Sequence, residues 1–140
     1  MLIREAGILF QGIPIVFNSS NKDCEIKSNN VCTSGLLRKL SLFSKFLTTQ
    51  IEYFESQNHS IILKDGIIKD INGINQNILA FIILEKDYRL EKYLRKILFP
   101  LLEGLLYEFI SQYHGHDLFR LGQFQVFKSA IKKITDLRPV

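Results

Sequence analysis

Few residues of this 140-residue chain are equipped for chemistry. His114, His116 and Asp117 fall within four consecutive positions, where two imidazoles and a carboxylate would reach one cation. A zinc site, however, takes three or four ligands at recognisable spacing. Imidazoles at the end of a helix are expected to face the negative end of its dipole instead. Cys24 and Cys32 have seven residues between them, so the C-x-x-C spacing of redox and zinc motifs is absent. No histidine lies near them in sequence to activate a thiolate, and both read as loop thiols.

No G-x-x-x-x-G-K-[ST] loop is present, and Gly12 and Gly66 are assigned to turns, so the chain is not expected to hold a nucleotide itself. Carboxylates are scattered among bases, as in Glu91, Lys92 and Arg95, where solvated pairing on a helix accounts for them. No catalytic, metal or cofactor residue is therefore expected, and the chain does not read as an enzyme. Lys128, Lys132 and Lys133 read as a solvated face, with an anionic membrane or an acidic partner as the alternative.

Hydrophobic residues at 46% and charged residues at 23% give the balance of an ordinary globular domain. The net charge of +4 is spread along the chain, Trp is absent, and Phe and Tyr recur at helical spacing, which argues against a nucleic-acid partner. Arg4 and Glu5 interrupt the first apolar residues, so no signal-like stretch opens the chain. The apolar run Ile78 to Leu84 is too short to cross a bilayer as a helix. A cytoplasmic location is expected, with any membrane association peripheral.

Residues 2 to 10 and 13 to 17 read as a β-hairpin turning at Gln11-Gly12, with Pro14 placing the second strand at a sheet edge. Residues 18 to 33 read as a long polar loop. Ser34 would cap a helix from Leu36 to about Phe54, with Leu36, Leu40, Phe43, Leu47, Ile51 and Phe54 as its stripe. Residues 60 to 64, a turn at Asp65-Gly66, residues 67 to 71, a turn at Asn72-Gly73 and residues 78 to 85 predict a three-strand meander. The last strand is apolar at every position from Ile78 to Leu84 and needs cover on both faces, which makes it central. A helix from about Arg89 to Tyr113 is expected to kink or divide at Pro100, and a final helix after Asp117 carries Phe124, Phe127, Ile131 and Ile134. The predicted order is β-β-α-β-β-β-α-α in one domain spanning 1–140, an α+β fold whose five-stranded antiparallel sheet is sandwiched by helices.

This order resembles the longin fold and its Roadblock relatives, which serve small-GTPase regulation and vesicle trafficking. The resemblance rests on the hairpin Ile8-Leu9-Phe10-Gln11-Gly12-Ile13-Pro14-Ile15, the central strand ending at Glu85, and Gly122-Gln123-Phe124-Gln125-Val126-Phe127-Lys128. The last stretch is similar to the "G-x-x-x-x-F" segment before the final helix of archaeal longin-like and Roadblock-like proteins. The resemblance implies a non-catalytic, dimerising platform for a small Ras-like GTPase or a vesicle-traffic complex, pairing with itself or with a paralogous subunit. It supplies no catalytic residue. The chain reaches Val140 with neither the heptad-repeat helix nor the anchor of longins fused to membrane-fusion proteins, so a protein of that kind is not expected.

Two contact surfaces follow from the predicted order. The strand from Ser60 to Lys64 would be the second sheet edge, with Ile61 and Leu63 available for strand addition. Leu37, Leu42, Phe46 and Tyr53 lie outside the main stripe of the first helix and would meet a second subunit. The candidate contacts are therefore Leu37, Phe46, Tyr53, Ile61 and Leu63. The alternative function is a profilin-like small-ligand sensor, against which stands the scarcity of polar residues converging on the core.

Overall fold

The computed structural model describes residues 3–19, 53–55, 59–85 and 94–136, with side chains placed for all of these except 53–55, 94 and 95. They form an α+β fold built on an antiparallel sheet. Strands β1 (Ile3–Phe10) and β2 (Ile13–Ser19) make the expected hairpin. Gln11 and Gly12 both adopt positive φ, 53° and 78°, the backbone that matches a two-residue turn to the twist of its strands. β2 runs to Ser19, so Asn18 and Ser19 belong to the strand and not to the loop predicted from residue 18.

The predicted meander is corrected. Residues 60 to 64 and 67 to 71 do not form two strands; β4 (His59–Lys69) runs unbroken through Asp65-Gly66 and pairs with β5 (Asn75–Glu85) along its whole length. Asp65-Gly66 has the composition of a turn, but Ile61, Leu63 and Phe81 on one face and Ile62, Ile68, Ile78 and Ile82 on the other keep their alternation across it. The turn lies at Asp70–Ile74, where the Asp70 carboxylate accepts the backbone N–H of Asn72 and of Ile74, each at 2.9 Å, and Gly73 takes φ 75°.

A three-residue strand, β3 (Tyr53–Glu55), pairs with Ser60–Ile62. Tyr53 and Phe54 are therefore strand residues and not the end of the predicted helix; the rest of that helix lies outside the described residues. β3 also corrects the second sheet edge, because it lies outside the Ser60–Ile62 stretch of β4. The sheet order is β2-β1-β5-β4-β3, with all pairs antiparallel and β5 in the middle.

Pro100 marks a change of winding in the long helix. Residues Leu94–Leu98 form a π-helical turn that runs directly into α1 (Phe99–Tyr113), whose first turn holds the proline, so the bond that Pro100 cannot donate falls at the junction. After the turn at His114–His116, the 3₁₀ segment Leu121–Phe127 leads into α2 (Lys128–Thr135). α1, the 3₁₀ segment and α2 pack on one face of the sheet, where Phe109 stacks at ring-centroid distances of 4.9, 5.4 and 5.3 Å from Tyr113, Phe124 and Phe127. The opposite face carries Leu9, Ile61, Leu63, Phe81 and Ile83, all buried. No described helix packs on it, so helices on both faces of the sheet are not seen among the described residues.

Candidate functional site

Register decides which side chains this fold presents. β1 ends at Phe10, opposite Ile78, whereas the β4–β5 pairing continues through Ile67↔Asn77 and Ile68↔Gln76 to Lys69↔Asn75. The β4–β5 hairpin therefore projects beyond its neighbour as a two-stranded arm. On it Ile67, Ile71 and Ile74 are 60%, 63% and 56% exposed. Three large aliphatic side chains held in water on one short arm are costly to solvate, because apolar area released from water is worth about 25 cal/mol per Å².

The arm is rigidly closed at its tip. Besides the two backbone N–H groups, the Asp70 carboxylate accepts a bond from Gln76 Nε2 at 3.0 Å. The Gln76 bond first, and the backbone donors after it, hold the Asp70 carboxyl below the ordinary carboxylate range. Next to the tip, Gly115 N–H donates to the Lys69 carbonyl at 2.9 Å, which ties the turn after α1 to the end of β4.

Of the predicted contacts, Ile61 and Leu63 are 0% exposed and belong to the core of the second sheet face. The correction has a simple cause: with β5 on one side and β3 beginning on the other, the predicted edge is interior to the sheet at Ile61. Leu37 and Phe46 lie outside the described residues, and Tyr53 is placed only as a backbone position in β3. Cys24, Cys32, Glu91 and Lys92 are likewise outside them. Ile67, Ile71 and Ile74 are missed by sequence reasoning because the false turn at Asp65-Gly66 hides how far the hairpin extends; the signal is the alternation that survives that turn.

His114 and His116 are exposed, and the segment is knitted by bonds of its own. His116 Nδ1 lies 3.1 Å from Gln123 Oε1, Phe119 N–H donates to the Asp117 carboxylate at 3.0 Å, and Gln123 Nε2 donates to the Asp117 carbonyl at 2.6 Å. Among the described residues no group of three or more His, Cys, Asp or Glu side chains is placed to share a metal ion.

Glu5 is the unexpected polar group. It stands opposite Ile83 in the β1–β5 register, and directly opposed residues share a face, so its carboxyl enters the apolar second face. It is 3% exposed, and its Oε2 has no hydrogen-bond partner. Burial disfavours the charged form and pushes the Glu5 carboxyl up to about 7. Arg4, beside it at the register irregularity of β1, pairs with Glu85 at the end of β5, a partly exposed contact of small energetic weight.

Comparison of the chain with protein-family models, with curated proteins and with solved structures finds no significant match in any of the three.

Proposed function

We propose that the chain is a non-catalytic protein-interaction module that pairs with a second subunit and presents a platform to a small Ras-like GTPase or a vesicle-traffic complex. The observation that carries this reading is the projecting β4–β5 arm with Ile67, Ile71 and Ile74 in solvent. An aliphatic cluster on a rigid two-stranded support suits a protein surface, since little order is lost when it is covered. The longin-like element pattern supplies the GTPase and traffic context. In this reading the arm carries the pairing with a second subunit that was expected of Leu37, Phe46 and Tyr53, and it replaces Ile61 and Leu63, which are buried, as the exposed contact.

Size-exclusion chromatography with light scattering, on the chain alone and mixed with small GTPases, tests it together with nucleotide exchange and hydrolysis assays. A self-association or a stable GTPase complex is expected. A strictly monomeric protein that leaves exchange and hydrolysis unchanged for every GTPase would overturn the proposal.

The profilin-like sensor reading is favoured by one observation, the buried Glu5 carboxyl with a free acceptor oxygen. A small cationic or hydrogen-bond-donating ligand on the second sheet face would satisfy it. Native mass spectrometry of the purified protein that shows the bare chain mass alone would rule against that reading.

A further inference from the structure

The formal excess of the whole chain is +4, and the stretch between Asp117 and Asp136 accounts for all of it: Arg120, Lys128, Lys132 and Lys133 give four positive charges, and residues 118 to 135 contain no Asp or Glu. The other residues are together neutral. All four cations are exposed, and the described ion pairs, Arg4–Glu85 and Lys64–Glu103, involve none of them. Ile131, Ile134 and Thr135 bury one side of α2, so Lys128 with Lys132, and Ser129 with Lys133, lie one turn apart on its outer side. In the preceding 3₁₀ segment Phe124 and Phe127 turn into the core, which leaves Leu121 and Val126 outward.

The apolar residues of this region are the second half of the pattern. Phe119 is 69% and Val126 73% exposed, with Leu121 between them in sequence and Ile13 nearby on the β1–β2 hairpin. Phe119 packs edge-on against Phe10, whose partner across the hairpin is Ile13, which fixes the ring at the sheet end and keeps its outer face in water. Exposed apolar side chains that alternate in sequence with these cations, with carboxylates only at the two ends of the stretch, Asp117 and Asp136, match the two layers of an anionic membrane surface. Cations meet the phosphates while apolar tips enter the acyl boundary. A folded acidic protein needs a matched shape and returns mixed charge; a headgroup layer needs neither.

We propose that the face formed by Leu121–Phe127 and α2, together with Phe119, docks peripherally on anionic lipid. No helix among the described residues is long and apolar enough to cross a membrane. This proposal stands independently of the pairing role given to the β4–β5 arm.

Cosedimentation of the full chain with phosphatidylcholine vesicles, and with vesicles of equal parts phosphatidylcholine and phosphatidylserine, tests it. Binding is expected only to the second kind and is expected to weaken as salt rises. The double substitution Lys132→Gln/Lys133→Gln should weaken it about 30-fold, from roughly fivefold for each cation held near an anionic surface. Val126→Asn should weaken it further at unchanged charge, with thermal melting as the check that both variants remain folded. Equal recovery with both vesicle kinds, or lipid binding indifferent to salt and to the lysine pair, would contradict it. So would binding of soluble polyglutamate or single-stranded RNA as tight as the binding of phosphatidylserine vesicles, because that points to an acidic macromolecule instead.

Discussion

Gly66 faces Leu106 so closely that a β-carbon built on the glycine would stand 2.8 Å from the leucine Cδ2. The glycine lets α1 lie down on β4 at mid-strand. Gly7 is tighter and of a different kind: its β-carbon would meet the Val16 carbonyl oxygen at 2.5 Å and Phe17 Cβ at 2.6 Å, atoms fixed by the β1–β2 pairing. A leucine tip can turn aside, whereas a paired backbone cannot. Gly66→Ala should therefore cost about 1 kcal/mol and Gly7→Ala about 3 kcal/mol, within the usual range for overpacking. Urea unfolding of the two variants checks the ranking, and an equal loss at both positions would refute it.

These two glycines also show how far the fold was legible in the sequence. The strand pattern around Ile8, Ile15 and Phe81 and the break at Pro100 were readable, because alternation and a missing N–H act locally. Asp65-Gly66 misled because a turn and a close helix approach call for the same residue, and only the tertiary partner, Leu106, distinguishes them. Tyr53 and Phe54 misled in a related way: aromatic residues at the end of a helical stripe suit a short strand equally well. The contact site was less legible still, since Ile61 and Ile67 have the same side chain on the same strand, one 0% and the other 60% exposed. Their difference is set by neighbouring strands and not by local composition.

Glu5 makes stability depend on pH with a definite sign. Its folded-state pKa of about 7 lies above its ordinary value of 4.5, so the fold prefers the protonated carboxyl. Its favourable contribution is complete below about pH 4.5 and is lost as pH rises through about 7, for a total on the order of 3 kcal/mol. Glu5→Gln should remove this dependence and be the more stable protein above pH 7, with the two converging at low pH. Urea midpoints of both proteins across this range measure it; parallel profiles would show that the Glu5 carboxyl does not titrate in the fold.

Asp70 acts with the opposite sign. Its carboxyl is held low by Gln76 and by the backbone N–H groups of Ile74 and Asn72, so its contribution is present above the usual carboxylate range. It is lost as pH falls through the lowered value. Asp70→Ala should lower the melting temperature and speed amide exchange at Asn72 and Ile74 while leaving exchange in β1 and β5 unchanged. Unaltered exchange at the hairpin tip would show that the turn holds without the carboxylate.

The Tyr113 hydroxyl donates to the Gln123 carbonyl at 3.1 Å, a single bond between the end of α1 and the 3₁₀ segment. Tyr113 is buried, and burial raises the pKa of its phenol. Tyr113→Phe should keep the ring packing against Phe109 and Phe124 and lose that bond and the longer one, 3.4 Å, that the hydroxyl accepts from Gln112 Nε2, for about 1 kcal/mol in all. A loss of several times that size, seen by thermal melting, would mean that the ring itself had moved.

The pairing proposal is tested most directly by sedimentation velocity across a concentration series, comparing the natural chain with Ile67→Ser/Ile71→Ser/Ile74→Ser. The natural chain should rise from 16.3 kDa toward twice that mass, while the triple variant, with the same thermal melting, stays at 16.3 kDa. A natural chain that remains at 16.3 kDa at every concentration, or a variant that associates equally well, would contradict self-pairing through the arm.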